Sequence, residues 1–304
     1  MHVVAVTGIT GKSGQWFAKR LESEASLLKE YGIRISVRET YTGRALDDSA
    51  LNVEKFIGDI TDAVFCAEFC SGADTLIHIA GIRLSFPLLR IAAENGVKRF
   101  VLVYTTGVYS KYKAAAKPYA EIETETRKLA EEYGISLTIL RPTMIYGDLN
   151  DKNISVFIKM VDKLLIFPVI NGANYDMQPV YAKDLGEAYY RVLMAPEATK
   201  NKSYNLSGKK PIFLKDIFKT IADQLGKKIT MISFPFWFAY TGACCLYILS
   251  LRKMDYREKV QRMIEPRVFD HEDAKRDFGY CPVDFGEGVR EEILSYLRIN
   301  NLEG

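Results

Sequence analysis

Three glycines near the N-terminus have the spacing of a phosphate-binding turn. The run VAVTGITGKSG at positions 4–14 is an apolar strand pattern that leads into Gly8, Gly11 and Gly14. In such a turn the first glycine permits the bend, the second lets backbone approach a pyrophosphate, and the third allows close packing of the next helix. Free N–H groups at the start of that helix would bind the phosphates. The predicted cofactor-binding residues of the turn are Gly8, Thr10, Gly11, Lys12, Ser13 and Gly14.

The residues after the second predicted strand decide which dinucleotide fits. An acidic residue there bonds a ribose 2′-hydroxyl, whereas an arginine accommodates a 2′-phosphate. This chain has Arg38 and Glu39 side by side, so both cofactors stay open. Arg38 together with Lys12 would bring two cations to one phosphate. The sequence therefore favours NADP(H), with NAD(H) as the alternative; Arg38 could also simply solvate a strand end.

Alternating strands and helices must position this turn. Up to residue 145, short apolar runs alternate with segments of helical periodicity, which is typical of a parallel sheet with crossover helices. Continuous apolar runs indicate strands that are covered on both faces. We also predict a helix that ends at Gly96 and another over 118–133. The predicted strands are 3–7, 34–38, 55–59, 75–79, 100–105, 136–140 and 203–207.

Composition excludes several classes of protein. The chain has 304 residues, 48% hydrophobic and 26% charged, as in an ordinary globular protein, which excludes disordered and collagen-like chains. A net charge of +3 from 41 basic and 38 acidic residues gives no reason to expect a nucleic-acid partner. Five cysteines without a CxxC pair indicate free thiols, and no signal-peptide pattern is visible, so we expect a cytoplasmic protein. The histidines lack ligand spacing with the cysteines, so no metal site is predicted.

The run 232–251 has no charged residue and just reaches the length of a bilayer span. Pro235 and Gly242 inside it argue against a span. We therefore expect a buried or partly exposed helix of a second domain and no membrane partner. A membrane-associated scaffold that uses this run is an alternative function.

Several further motifs follow one another in the order of a known family. They are TGITGKSG (7–14), GDITD (58–62), HIAG (78–81), VLVYTTGVY (101–109), LRPTMIYG (140–147), PVYAKDLGEAY (179–189), SYNLSG (203–208) and a C-terminal segment (270–293). With them, nearly the whole chain resembles the extended short-chain dehydrogenases/reductases, which include nucleotide-sugar epimerases and dehydratases. The resemblance implies an α/β fold with a doubly wound parallel Rossmann sheet and a smaller C-terminal α/β domain. The dinucleotide-binding domain would be 1–168 with 180–207 returning to it, and the substrate domain 169–179 with 208–304.

The resemblance also implies further cofactor contacts. Residues at three strand ends would each border a different part of the dinucleotide. Asp59 and Ile60 would border the adenine, Ala80 and Gly81 the central ribose and phosphates, and Pro142 and Thr143 the nicotinamide.

The catalytic positions that the resemblance implies are Thr105, Tyr119 and Glu123. Thr105 is the family's hydroxyl residue and Tyr119 its catalytic tyrosine, but Glu123 stands where a lysine is expected four residues later. A lysine on that helical face helps the phenol to give up its proton. A carboxylate favours a protonated phenol that donates, which suits reduction better than oxidation. Tyr109 and Lys113 also fit the YxxxK pattern. Tyr109 comes only four residues after Thr105, which is too close for a helix that carries a second catalytic pair.

The resulting function is an NAD(P)-dependent oxidoreductase or epimerase that acts on a nucleotide sugar or a similar small carbonyl or hydroxyl compound. Tyr109, Tyr146 and Arg267 are the predicted substrate residues, with Arg267 as a clamp for a diphosphate. The basic stretch from Arg252 to Arg267 could also be a solvated helix face. Thr105 is not followed by an acidic pair, which argues against 4,6-dehydratase activity. A non-catalytic NADP(H)-binding sensor is the alternative, and a homodimer stays open.

Overall fold

Strands and helices alternate through the first half of the chain in the computed structural model, which describes residues 1–41, 43, 45, 46, 51–164, 166–250 and 252–302. The strands are β1 (His2–Thr7), β2 (Tyr31–Val37), β3 (Asn52–Ile57), β4 (Thr75–His78), β5 (Arg99–Val103), β6 (Ser136–Pro142), β7 (Ile145–Tyr146), β8 (Ile166–Ile170), β9 (Asp176–Met177), β10 (Val180–Tyr181), β11 (Ser203–Leu206), β12 (Ile212–Phe213) and β13 (Thr230–Phe234). The helices are α1 (Gly14–Ser23), α2 (Ala63–Cys70), α3 (Ser85–Glu94), α4 (Lys113–Glu132), α5 (Ile154–Lys163), α6 (Ala182–Met194), α7 (Pro196–Thr199), α8 (Leu214–Leu225), α9 (Phe236–Leu249), α10 (Arg257–Met263), α11 (Glu272–Phe278) and α12 (Phe285–Leu302).

Seven of these strands form one parallel sheet with the order β11-β6-β5-β4-β1-β2-β3. The chain leaves β1 towards one edge of the sheet and later returns to the other side of β1 with β4. This reversal is the switch point of a doubly wound sheet, where ligands bind outside the carboxyl ends of the strands. The predicted α/β fold with a seven-stranded Rossmann sheet is confirmed, and the strand bounds differ by a few residues at their ends.

Continuous apolar sequence explains why these strands are central. Every residue of β5 is buried. On one face of the sheet, Leu76 and Leu102 share a core cluster with Phe69 of α2, Leu88 of α3 and Leu129 of α4. Because side chains alternate along a strand, the intervening residues of β5 face the opposite side of the sheet, where they are buried as well. Helices on both faces are what makes a continuous apolar strand stable.

The chain divides into two compact units. The first consists of 1–143, 182–206 and 270–281, and the second of 144–181, 207–269 and 282–304. Residues 144–168 fall in the second unit, unlike the predicted boundary, because β7 pairs with β10 and α5 packs on α8. Residues 270–281 fall in the first unit because α11 packs on α7 and β11. The assignment of the two units to cofactor and substrate stays a prediction.

The second unit has small two-stranded sheets and its own apolar core. Strand β7 pairs with β10, β8 with β13, and β9 with β12. Its core is formed by α5, α8 and α12, with Ile158, Phe218 and Val289 among the buried side chains. The uncharged run contributes β13 and α9, so it is a strand followed by a partly exposed helix. Within the described residues, no helix is long and apolar enough to cross a membrane.

Candidate active site

The glycine turn between β1 and α1 has the close approaches that its spacing predicts. Gly8 has φ +76°, and a Cβ there would lie 2.5 Å from the backbone nitrogen of Ala80. A Cβ on Gly14 would lie 2.1 Å from the carbonyl oxygen of Gly8. The N–H of Gly11 donates to that same carbonyl at 2.9 Å. Larger residues at Gly8 and Gly14 would therefore force the turn apart.

Helix α1 presents its N-terminus beside this turn, and α6 holds it there. The first turn of α1 contains no acidic side chain, so its positive end is not neutralised locally. A Cβ on Gly186 of α6 would lie 2.6 Å from the nitrogen of Phe17, so the two helices need glycine at their contact. Ser13 is buried, and its hydroxyl accepts a hydrogen bond from Tyr189 at 3.1 Å. The Ser13 side chain thus links the start of α1 to α6.

His78, at the end of β4, ties the neighbouring loop to the turn. The ring is fully buried. Nε2 lies 3.2 Å from the carbonyl oxygen of Gly81, which can only accept, so Nε2 carries the proton. Nδ1 therefore accepts from the hydroxyl of Thr7 at 2.7 Å. This network fixes Ala80 and Gly81 next to Gly8, a role that the sequence alone did not reveal because it depends on two strand ends meeting.

Acid should weaken the fold through His78. Burial lowers the pKa of His78 from 6.5 to about 4, against a smaller opposing effect of the Gly81 hydrogen bond. The unfolded His78 ring binds a proton below about pH 6.5, whereas the folded ring stays neutral down to about pH 4. The free energy of unfolding therefore falls by about 3 kcal/mol as pH drops through this range. We expect His78→Gln to flatten this part of the pH profile, as measured by urea unfolding. His2→Gln, at an exposed site, is the control, and equal slopes for His78→Gln and wild type would contradict the assignment.

Arg38 and Asp59 lie at the exposed carboxyl ends of β2 and β3. The backbone N–H of Thr61 donates to Asp59 at 2.9 Å. That hydrogen bond and, to a lesser degree, the positive charge of Arg38 lower the pKa of Asp59. Ile60 packs partly into the core of the first unit. The predicted adenosine-side residues therefore lie along one edge of the sheet, with Glu39 also exposed.

Thr105 and Tyr119 are brought together above Gly107. A Cβ on Gly107 would lie 3.2 Å from Cε2 of Tyr119 and 3.3 Å from Oγ1 of Thr105. Thr105 Oγ1 accepts from the Gly107 N–H at 3.0 Å, which leaves its own hydroxyl proton free to donate. Thr105 follows β5, and Tyr119 stands in the second turn of α4. Both predicted hydroxyl residues thus border one small site.

Arg83 supplies a cation near Tyr119. It lies in the short turn that follows Gly81, and its guanidinium carbon is 6.0 Å from the centre of the Tyr119 ring. A cation at this distance stabilises negative charge on or near the ring. Sequence spacing could not find Arg83, because it comes from the β4–α3 connection rather than from α4. The glycine turn, Gly81, Arg83, Tyr119 and Thr105 therefore form one continuous cluster.

Glu123 is held by two arginines. Both carboxylate oxygens accept from Arg141: Oε2 from Nε at 3.0 Å, and Oε1 from Nη2. Arg127 Nη2 donates to Oε1 at 2.8 Å and to Ser203 Oγ at 2.7 Å. Burial alone would raise the pKa of Glu123, but the hydrogen bonds from Arg141 and Arg127 outweigh it and lower that pKa. The carboxylate predicted as catalytic is therefore used as the counter-ion of buried Arg141.

The second YxxxK pattern is positioned differently. Tyr109 is half-exposed, donates to Asn205 Oδ1 at 3.2 Å and lies 5.5 Å from the Arg141 guanidinium. The side chain of Lys113 lies outside the described residues. Lys117 of the same helix is exposed, and its Nζ lies 3.6 Å from Glu121. Lys117 thus points to a surface carboxylate.

Pro142 and Thr143 close the sheet edge after β6. The hydroxyl of Thr106 donates to the carbonyl oxygen of Pro142 at 3.2 Å. The N–H of Thr143 donates to the carbonyl oxygen of Leu206 at 3.1 Å, continuing the pairing of β6 with β11. These bonds join the loop that carries Thr105 to the end of β6.

The two other predicted substrate residues belong to the second unit. Tyr146 is fully buried and packs 5.4 Å from Tyr181 and 5.3 Å from Phe285, centre to centre. Its ring is a packing element of that core. Arg267 is half-buried, and its Nη2 donates to the carbonyl oxygen of Arg262 at 3.3 Å. Burial and the nearby charge of Arg262 lower the pKa of Arg267. A bound anion would oppose both effects by stabilising the charged guanidinium.

Glu292 is a buried acid that the sequence analysis missed. It accepts from the Gly147 N–H at 3.1 Å within the second unit. Burial, and then the neighbouring carboxylate of Asp151, raise the pKa of Glu292 well above its usual range. Only the tertiary approach of α12 to the residues after β7 creates this pair. Among the described residues no cluster of three or more histidine, cysteine or carboxylate side chains suits a metal ion.

Comparison with known proteins gives consistent matches. Residues 81–207 match the model of the NAD dependent epimerase/dehydratase family. The chain is 20% identical to UDP-glucose 4-epimerase from Vibrio cholerae, over 98% of this chain and 96% of that protein. It is 22% identical to N-acetyl-alpha-D-glucosaminyl-diphospho-ditrans,octacis-undecaprenol 4-epimerase from Escherichia coli O157:H7, over 64% of this chain and 67% of that protein.

A solved structure shares the fold along nearly the whole chain. The dTDP-glucose 4,6-dehydratase of Streptomyces venezuelae, solved with NAD bound, superposes with a TM-score of 0.73 at 20% identity. The superposition covers 98% of this chain and 97% of that one. Residues 81–207 are thus similar to the NAD dependent epimerase/dehydratase family, and the chain as a whole is similar in sequence to a UDP-glucose 4-epimerase and in fold to a dTDP-glucose 4,6-dehydratase.

Proposed function

We propose that this protein is an NAD(P)-dependent oxidoreductase of the epimerase type that acts on a sugar attached to a diphosphate. The observation that carries this proposal is the meeting of Thr105 and Tyr119 above Gly107, in one cluster with Arg83 and the glycine turn. The two curated relatives are named for a nucleotide sugar and for a polyprenol-linked sugar diphosphate. A diphosphate-linked sugar is the chemistry that these substrates share.

The residues present fit a dinucleotide. At Gly8 and Gly14 the space that a Cβ would fill is taken by backbone, so the turn keeps the close geometry that pyrophosphate binding needs. The N-terminus of α1 would hold the diphosphate, and the ends of β2 and β3 the adenosine. A bound nicotinamide would supply reversible hydride-transfer chemistry at the sugar carbon.

The side chains of the cluster would handle the proton that accompanies the hydride. Tyr119 would take the proton of the sugar hydroxyl as the carbonyl forms, and give it back in the reverse step. Thr105 would donate a hydrogen bond to the same sugar oxygen, and Arg83 would stabilise the phenolate. In the second unit, Arg262 and Arg267 are two adjacent half-buried cations that would favour a doubly charged anion such as a diphosphate.

Arg38 favours NADP(H) over NAD(H). Its exposed side chain directly follows β2, where a 2′-phosphate would lie. We expect NADPH to bind more tightly than NADH, and Arg38→Ala to weaken NADPH binding about tenfold with little effect on NADH. Titration calorimetry with both cofactors measures this. Glu39→Ala is the matched control; if it weakens NADH binding while Arg38→Ala changes neither cofactor, the protein prefers NAD(H).

A cofactor-binding protein without turnover is the second candidate. The observation that favours it is Glu123, which occupies the family's lysine position and is committed to Arg141 and Arg127. An assay of UDP-sugars and a polyprenyl-diphosphate sugar, read by NMR of the sugar configuration, separates the two. Conversion supports the enzyme; stoichiometric cofactor binding without any conversion supports the sensor. The cytoplasmic location, together with the homodimer, stays a prediction.

A further inference from the structure

Helix α9 exposes a wide uncharged surface in the second unit. We call it the α9 surface: Trp237, Phe238, Leu246, Ile248 and Leu249, all exposed, with Trp237 at 66% and Leu249 at 80%. Ile232 of the preceding β13 is exposed as well. Large apolar side chains that cluster on a surface mark an interaction site, because each costs free energy in water.

The exposure follows one side of the helix. The exposed positions 237, 238, 241, 242, 245, 246, 248 and 249 recur at helical spacing. The opposite side packs on the protein: Ala243 is buried, α9 contacts α10, and the ring of Tyr247 lies 4.0 Å from the guanidinium of Arg257. Helix α9 therefore packs on α10 with one side, and its outer side has no charged residue.

The length of α9 decides how it could meet a bilayer. Its 14 residues are about 21 Å long. The hydrocarbon core of a bilayer is about 30 Å thick, so α9 is too short to cross it. An apolar helix of this length can lie in the plane of the membrane, with its outer side among the acyl chains.

Charges at the end of α9 indicate the type of lipid. Arg252 and Lys253 follow the helix closely and are both exposed. Helix α9 itself contains no Asp or Glu that would repel a negative headgroup. Trp237, at the other end, is a residue type that favours the membrane interface. Apolar contact flanked by cations is complementary to an anionic phospholipid surface, where each cation strengthens binding about fivefold.

We propose that the α9 surface docks in the plane of an anionic phospholipid bilayer, with Arg252 and Lys253 on the lipid headgroups. The protein then works as a peripheral membrane protein, which revises the expectation of no membrane partner. This inference uses no residue of the proposed active site, so it stands or falls independently of the proposed function.

Vesicle flotation tests the proposal with the full chain. Wild type should float with vesicles of phosphatidylcholine and phosphatidylglycerol, and bind at least tenfold more weakly to phosphatidylcholine alone. The double variant Trp237→Glu and Leu249→Glu should lose flotation, because charge enters the apolar side. Leu27→Glu, at another exposed apolar residue (62%) in the first unit, should float like wild type. Circular dichroism and thermal unfolding confirm that the variants are folded.

Two further variants examine the contact itself. Arg252→Gln with Lys253→Gln should weaken binding to the anionic vesicles about tenfold or more, and salt should remove that difference. Tryptophan fluorescence should be quenched by brominated lipid in wild type and much less in Trp237→Phe, which keeps the apolar surface. If wild type does not float, or floats equally with neutral vesicles, the proposal is wrong. A dimer that the Trp237→Glu and Leu249→Glu variant abolishes, without vesicle binding, would instead identify a second copy of the chain as the occupant.

Discussion

Tyr119→Phe is expected to lower kcat by about 10³-fold while leaving the affinity for NAD(P)(H) unchanged. General acid–base catalysis by a positioned side chain contributes about 10²- to 10⁴-fold, and Phe removes only the hydroxyl that carries the proton. The ring would keep its place beside Gly107, since the contacts there are made by Cε2 and Cδ2. Steady-state kinetics together with cofactor titration measure the two effects separately.

Tyr109→Phe is the matched control for this variant. Tyr109 also follows β5 and also begins a YxxxK pattern. Its hydroxyl, however, donates a hydrogen bond to Asn205 and does not border Thr105. We expect its kcat to fall less than tenfold. If instead Tyr109→Phe abolishes turnover and Tyr119→Phe does not, the proton is carried by Tyr109. Arg83→Gln should lower kcat as well, because it removes the cation beside the Tyr119 ring.

Replacement of Glu123 should lower the free energy of unfolding and not only the activity. Glu123→Gln removes the negative charge from between Arg141 and Arg127, of which Arg141 is only 8% exposed. Breaking a buried ion pair from one side costs about 3–5 kcal/mol, because the other charge stays buried and unpaired. We expect a loss near the lower limit, about 3 kcal/mol, since Arg127 is half-exposed. Urea unfolding at neutral pH measures it.

Glu123→Lys, which restores the family's lysine, should be worse still. It would place a third cation beside two arginines, so we expect a larger loss of stability and no gain in activity. Because the pKa of Glu123 is lowered in the folded state, the stabilisation is present above the unfolded pKa of about 4.5 and is lost as pH falls. Stability of wild type and Glu123→Gln should therefore converge in acid.

Glu121→Gln serves as the control on the same helix. Its carboxylate faces Lys117 at 3.6 Å, with both side chains more than half exposed. Exposed pairs of this kind are worth about 0–1 kcal/mol. A Glu123→Gln variant that is as stable as Glu121→Gln, or a Glu123→Lys variant that gains activity, would contradict the role of Glu123 as a counter-ion.

The sheet and the glycine turn were predictable because their signals are local. Continuous apolar runs identify strands with two covered faces, and the close approaches at Gly8 and Gly14 follow from the spacing of the glycines. Thr105 and Tyr119 were found through the family's spacing, and the structure brings them together. The binding and catalytic roles of all these residues stay predictions.

The residues that sequence reasoning missed act through distant partners. Arg141 lies 18 positions from Glu123, so their pairing depends on how α4 packs against β6. Arg83 reaches Tyr119 from the connection after β4, and Glu292 meets Asp151 only in the folded second unit. Which side of α9 is exposed was not predictable, because an apolar run without charged residues shows no clear periodicity from which a face can be assigned.

The central claim is that the glycine turn and the Thr105–Tyr119 pair form one hydride-transfer site. Deuterium at nicotinamide C4 of the reduced cofactor, followed by mass spectrometry of a UDP-4-keto-sugar, tests it directly. The proposed site predicts that wild type moves deuterium onto the sugar and that Tyr119→Phe moves almost none. Wild type that binds the cofactor stoichiometrically yet leaves all deuterium on it would contradict the claim.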